Sequence, residues 1–114
     1  MARRNVSVSR ASGDALRVLG NQIKLARQAR GWRLEDTAVR LGVDRRTLSA
    51  IEHGSPGSSI GTVFNAAFLV GVNLFGLEGD DLARARRQGE DTLALLPSRV
   101  RRPIRKDASD DFDF

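Results

Sequence analysis

The chain has 114 residues, 40% hydrophobic and 29% charged, with a net charge of +5, one histidine and no cysteine, which excludes disulfides and thiolate chemistry and argues against a zinc site. No apolar run approaches the roughly 20 residues that span a bilayer, and the basic N-terminus lacks the apolar stretch of a signal peptide, so a cytoplasmic location and no membrane partner are expected. A core of about 80 residues is small but able to fold alone, and dimerisation would help it.

Residues 1–13 carry few large apolar side chains and read as a flexible basic arm. A first helix is expected over residues 14 to about 30, with Leu16, Leu19, Ile23 and Ala26 at helical spacing, Gly31 as its stop and Trp32 packing on the core. Two short amphipathic patterns follow on either side of Gly42. In the first, Leu34, Ala38 and Leu41 fall at i, i+4 and i+7; in the second, Leu48 and Ile51 sit three apart. Asp44 stands where its side chain can cap a helix starting at Arg45. Two helices of about 34 to 41 and 45 to 53, joined by a tight turn, make a helix-turn-helix.

The second of these helices opens with Arg45 and Arg46, whose forked donors can pair with O6 and N7 of guanine in the major groove or clamp phosphate. Thr47, Ser49 and Ala50 are small enough to let the helix approach base edges. Arg45, Arg46 and Ala50 are therefore the candidate base readers, and Thr47 and Ser49 are supporting residues. His53, at the end of this helix, reads by itself as a solvated residue that suits the negative end of the helix dipole.

Beyond SPGSS, where Ser58 or Ser59 can cap, a fourth helix is expected with Ile60, Val63, Phe64, Ala67 and Phe68 as its apolar stripe. A turn over residues 72–79 leads to Asp80 and Asp81, acidic residues suited to a helix N-terminus, and a fifth helix to about residue 96 with Leu82, Leu93 and Leu96. Pro97 ends it. Residues 97–114 are a charged extension with too little apolar surface for a separate domain, basic from Arg99 to Lys106 and then acidic, with Phe112 and Phe114 among aspartates. The expected organisation is thus an arm (1–13), an all-α domain of five helices (14–96) and a tail (97–114). Residues 13–53 hold eight Arg or Lys against five Asp or Glu, whereas 54–98 hold three against five, so the basic side coincides with the helix-turn-helix.

The segments IKLARQARGW, LEDTAVRLGV and DRRTLSAIEHG, followed by SIGT, together resemble the Xre or lambda-repressor-like helix-turn-helix family over roughly residues 15 to 75. The resemblance implies an all-α DNA-binding domain and a partly buried pair between Arg27 and Glu52 behind the recognition helix. It also places His53 near the sugar-phosphate backbone. Two departures matter. The family's Thr-Gln at the start of the second helix is here Arg33-Leu34, so the threonine cap and the glutamine contact are lost; Arg33 can still approach phosphate, but Leu34 cannot donate a hydrogen bond. Thr37 replaces the usual leucine, a small loss of buried apolar area.

The tail, LPSRVRRPIRK followed by DASDDFDF, behind SIGTVF, is similar to the antitoxins of Hip-type toxin–antitoxin modules, the HipB-like proteins. That similarity implies a nucleoid-associated homodimer on a palindromic operator, repression of its own operon, and a HipA-like serine/threonine kinase toxin as partner, with Phe112 and Phe114 as candidate anchors. A stand-alone phage-type or metabolic repressor, and an interaction adaptor with a vestigial helix-turn-helix, are the alternatives. No enzyme motif is present: GxGxxG, GxxxxGK[ST] and HExxH are all missing, so neither catalysis nor a cofactor is expected. The terminal aspartates lack the glycine and final glutamate of an EF-hand loop.

Overall fold

A computed structural model describes residues 7–100. Among them the fold is all-α, with helices α1 (Arg10–Ala29), α2 (Leu34–Leu41), α3 (Arg45–Glu52), α4 (Ile60–Val70) and α5 (Asp80–Ala94). The chain divides after Val72 into two compact units, the first holding α1 to α4 and the second α5.

In the first unit α1 packs on α3 and α4, and α2 packs on both α3 and α4. Ile23 of α1, Ala38 of α2, Leu48 and Ile51 of α3, and Val63, Ala66, Ala67 and Val70 of α4 are buried. Ile23 and Leu48 are fully enclosed, and each contributes roughly 1.5–3 kcal/mol by leaving water. Among the described residues every buried side-chain nitrogen and oxygen has a hydrogen-bond partner.

Helix α1 begins at Arg10, four residues earlier than the sequence pattern predicts. The reason is local: Ser9 is buried, and its hydroxyl accepts a hydrogen bond from the Ser12 backbone N–H at 3.1 Å, a cap that draws Ser12 and Gly13 into the helix despite their modest propensity. Residues 10–13 thus belong to α1 rather than to an arm. Trp32 also differs from expectation. It is half-buried, with the Arg40 guanidinium 4.3 Å and that of Arg30 5.1 Å from its ring centre, so it stacks with two cations instead of filling the core. Arg30 in turn donates from Nε to the Val70 carbonyl at 2.9 Å, tying the end of α1 to the end of α4.

The buried stripe of α4 matches the one the sequence pattern suggests at Val63 and Ala67 but is rotated away from Ile60 and Phe68. Val63, Ala66, Ala67 and Val70 form the inner face, whereas Ile60 and Phe68 are 70% and 50% exposed. Residues 60, 64 and 68 step along the edge of that face, and the two alanines let the helix approach its neighbours closely. Thr37, expected to weaken the core, is almost fully enclosed; its hydroxyl donates to the Arg33 carbonyl at 2.9 Å, which satisfies the polar atom that burial would otherwise penalise.

In the second unit an isolated bridge pairs Leu74 with Leu77, and Leu74 is buried. Helix α5 has Asp80 and Asp81 in its first turn, as its dipole favours, and Arg84–Asp81 and Arg86–Glu90 ion pairs along its exposed surface. None of its residues is buried: Leu82 is half-buried and Leu93 is 69% exposed, and the helix ends at Ala94, two residues short of Leu96, which is 57% exposed. Within this unit no second helix is described that would cover them.

Candidate nucleic-acid interface

The turn between α2 and α3 occupies three residues. Gly42 adopts φ 80°, a left-handed conformation that costs a side-chain-bearing residue about 1 kcal/mol or more, and Val43 N–H returns to the Ala38 carbonyl at 3.0 Å. Asp44 then caps α3, its Oδ1 accepting from the Thr47 backbone N–H at 3.0 Å and from the Thr47 hydroxyl at 2.9 Å. These bonds, the backbone one foremost and with help from the charge of Arg46, hold the Asp44 carboxyl below its ordinary range. The threonine hydroxyl is therefore engaged in the cap.

Helix α3 divides cleanly into two faces. Leu48, Ile51 and Glu52 are buried, whereas Arg45, Arg46 and His53 are exposed and Thr47, Ser49 and Ala50 are half-buried. The inner face is fixed by two contacts with α1. Arg27 donates from Nε to Glu52 Oε2 at 2.7 Å and from Nη2 to Oε1 at 3.0 Å, a forked pair with both side chains enclosed, and its Nη1 reaches the Trp32 carbonyl at 2.8 Å. The hydrogen bond to Glu52 raises the pKa of Arg27 further above its already high ordinary value, against the opposing effect of burial. Gly20 supplies the second contact. A Cβ at this position would lie 2.5 Å from the Glu52 carbonyl oxygen and 2.7 Å from that of Ile51, so only glycine lets α1 touch the last turn of α3. The sequence pattern does not single out Gly20.

On the outer face the structure brings Arg45, Arg46 and Ser49 together with Leu34 and Asp44 around one open concavity of about 570 Å³ between the starts of α2 and α3. Ala50 and Thr47 do not line it. Arg33 is exposed immediately before α2, where its side chain makes no capping bond, and its carbonyl accepts from both the N–H and the hydroxyl of Thr37. His53 Nδ1 lies 2.8 Å from the Ser49 carbonyl, so that nitrogen carries the proton and the opposite edge of the exposed ring is left outward. Phe112 and Phe114 lie outside the described residues.

The first turns of the helices differ in sign. Helices α2 and α5 open with Glu35 and Asp36, and with Asp80 and Asp81, whereas α3 has no acid in its first turn and opens with two arginines. Cations at the positive end of a helix dipole are locally unfavourable, by about 0.3–1 kcal/mol each at exposed sites. Helix α1 likewise opens with an exposed arginine, Arg10, and no acid in its first turn, but only α3 has two arginines there and beside the concavity.

The model of the helix-turn-helix domain family matches residues 18–85. The chain belongs to that family. Both helices of the motif, the turn between them, α4, the second half of α1 and the start of α5 fall inside the match. The membership supports an Xre-like helix-turn-helix protein and a role in DNA binding. No curated protein and no solved structure matches the chain. Among the described residues no helix is long and apolar enough to cross a membrane.

Proposed function

We propose that this protein is a sequence-specific transcriptional repressor that acts as a homodimer, with α3 as the recognition helix in the major groove. The observation that carries this is the placement of Arg45 and Arg46, exposed at the first turn of α3 against the preference of its dipole and beside an open concavity. Arg45, Arg46 and Ala50 take the base-reading role; Arg33, Ser49 and the outward edge of His53 take phosphate or supporting contacts, while Thr47 supports indirectly through the cap. Guanine edges are the natural targets of the two forks.

A dimer making on the order of 6 to 10 phosphate contacts loses about 10³ to 10⁵ in affinity between 50 and 200 mM salt. Footprinting on the DNA upstream of the protein's own gene tests the assignment. Two inverted half-sites, with recognition helices roughly 34 Å apart, are expected; an unprotected region would remove autorepression.

The proposal extends to a partner. The basic-then-acidic composition of residues 97–114, with Phe112 and Phe114 alternating with aspartates, supports a HipB-like antitoxin whose tail docks aromatic anchors on a HipA-like kinase. A kinase-like gene beside this one, and weaker binding of that kinase to a chain truncated after Lys106, are the expected results; equal affinity of full-length and truncated chains by calorimetry would leave the tail a solubilising extension. The absence of a kinase-like neighbour would favour a stand-alone repressor.

A further inference from the structure

We infer that Leu34 is a base-reading residue that selects thymine through its C5 methyl group, an inference that rests on the DNA-binding role proposed above. Leu34 is the first residue of α2, half-buried, and forms the apolar wall of the concavity whose other walls are Arg45, Arg46, Ser49 and Asp44. Two observations point to a methyl group rather than a phosphate at that wall. An isobutyl side chain offers no donor, and the donor-bearing side chains of the same lining are Arg45, Arg46 and Ser49, so an anion would be drawn to them and not to Leu34. Base edges in the major groove are uncharged, and only thymine presents an apolar group there.

The arginines and the leucine then read different chemistry on one surface. The guanidinium forks of Arg45 and Arg46 pair with guanine acceptors, while Leu34, entering from the other helix of the motif, covers a neighbouring thymine methyl and removes it from water. Thr37 and Ala38, the buried residues of α2, hold that helix against the core, so the leucine is presented on a fixed element.

Enrichment of binding sequences from a random duplex pool with the full chain, followed by replacement of single thymines by deoxyuridine, tests this directly, because deoxyuridine differs from thymidine only by the methyl. At one thymine of the half-site the wild-type chain should lose about fourfold in affinity, the equivalent of ~0.8 kcal/mol for one buried methyl. The Leu34→Ala chain should bind the thymine and uracil duplexes equally at that position. A second variant, Leu34→Gln, should shift the enriched base there toward adenine, which a side-chain amide can pair with bidentately. If no sequence is enriched, the DNA-binding role falls and this inference with it. If a sequence is enriched but no thymine methyl matters, or if wild type and Leu34→Ala lose the same factor at the same thymine, DNA binding stands and the assignment of Leu34 is overturned.

Discussion

Gly20 of α1 approaches the last residue of α3 so closely that a single added Cβ would sit 2.5 Å from the Glu52 carbonyl oxygen. The atoms met are backbone, which no rotamer change can move aside. The orientation of α3, and so the direction in which Arg45 and Arg46 point, depends on an absent side chain seen from the opposite face of the helix.

Gly20→Ala is therefore expected to destabilise the first unit, even though alanine in a helix interior gains about 1 kcal/mol over glycine, because forcing an extra group into a packed contact costs typically 1–3 kcal/mol and occasionally more. Gly89, inside α5, is the contrasting case: a Cβ there meets nothing within 4 Å. Gly89→Ala should leave the first unit unchanged and raise the helicity of α5. Circular dichroism and urea denaturation of both variants check the pair of outcomes; a stabilising Gly20→Ala would contradict the close approach.

Arg27→Ala should cost about 3–5 kcal/mol, since it strands the Glu52 carboxylate in an enclosed site, 5% exposed. Arg27→Lys keeps the charge but not the fork, and should recover only part of the loss. Replacing Arg27 and Glu52 together by methionine and leucine should come close to wild-type stability, because it removes the desolvation cost of both ions along with their attraction. Denaturation midpoints of the three variants measure this; a double variant no better than Arg27→Ala would show that the pair itself is indispensable for folding.

Stability in acid should carry a contribution from Asp44. Its carboxyl is held below the ordinary value of 3.8 in the folded state, by the Thr47 backbone bond first, so the charged cap favours folding. That contribution is fully present above the unfolded-state value and is lost as pH falls through the lower folded-state value. Melting temperatures of wild type and Asp44→Asn should differ by a constant amount from neutral pH down to about pH 4 and converge below it, around the carboxylate range. Differences independent of pH into that acid range would show that the charge of the cap contributes nothing.

Arg45→Ala and Arg46→Ala should each cost about 1–3 kcal/mol on the enriched DNA and relax the preference at one base pair per half-site. Loss of a phosphate contact has a different signature. It weakens specific and random duplexes by the same factor and reduces the salt slope by about one. Binding titrations at several salt concentrations with both duplexes decide between base reading and backbone anchoring for each arginine, and removal of either exposed arginine should not lower the denaturation midpoint but raise it slightly, as the helix dipole favours.

Signals that act over a few residues were legible without a fold. Gly42 as a turn, Asp44 as a cap, the paired arginines that follow it, and the inner positions Ala38, Leu48 and Ile51 all depend on spacings of one helical turn, which the order of residues states directly. Helix starts that depend on a weak local choice were less so, as Ser9 shows: its cap outweighs the poor propensity of Ser12 and Gly13 only once the serine is buried. The glycine beneath Glu52, the stacking of Trp32 between Arg40 and Arg30, the enclosed Thr37 hydroxyl and the meeting of Leu34 with Arg45, Arg46 and Ser49 were decided by tertiary structure. Each involves groups that are either far apart in sequence or brought together by how two helices cross, and burial decides whether a given residue type is a core residue, a buried polar group or a surface contact. Composition and periodicity specify which residues can face inward, whereas the depth and angle at which helices meet are set by the sum of many side-chain contacts, and these fix which outward residues share one surface.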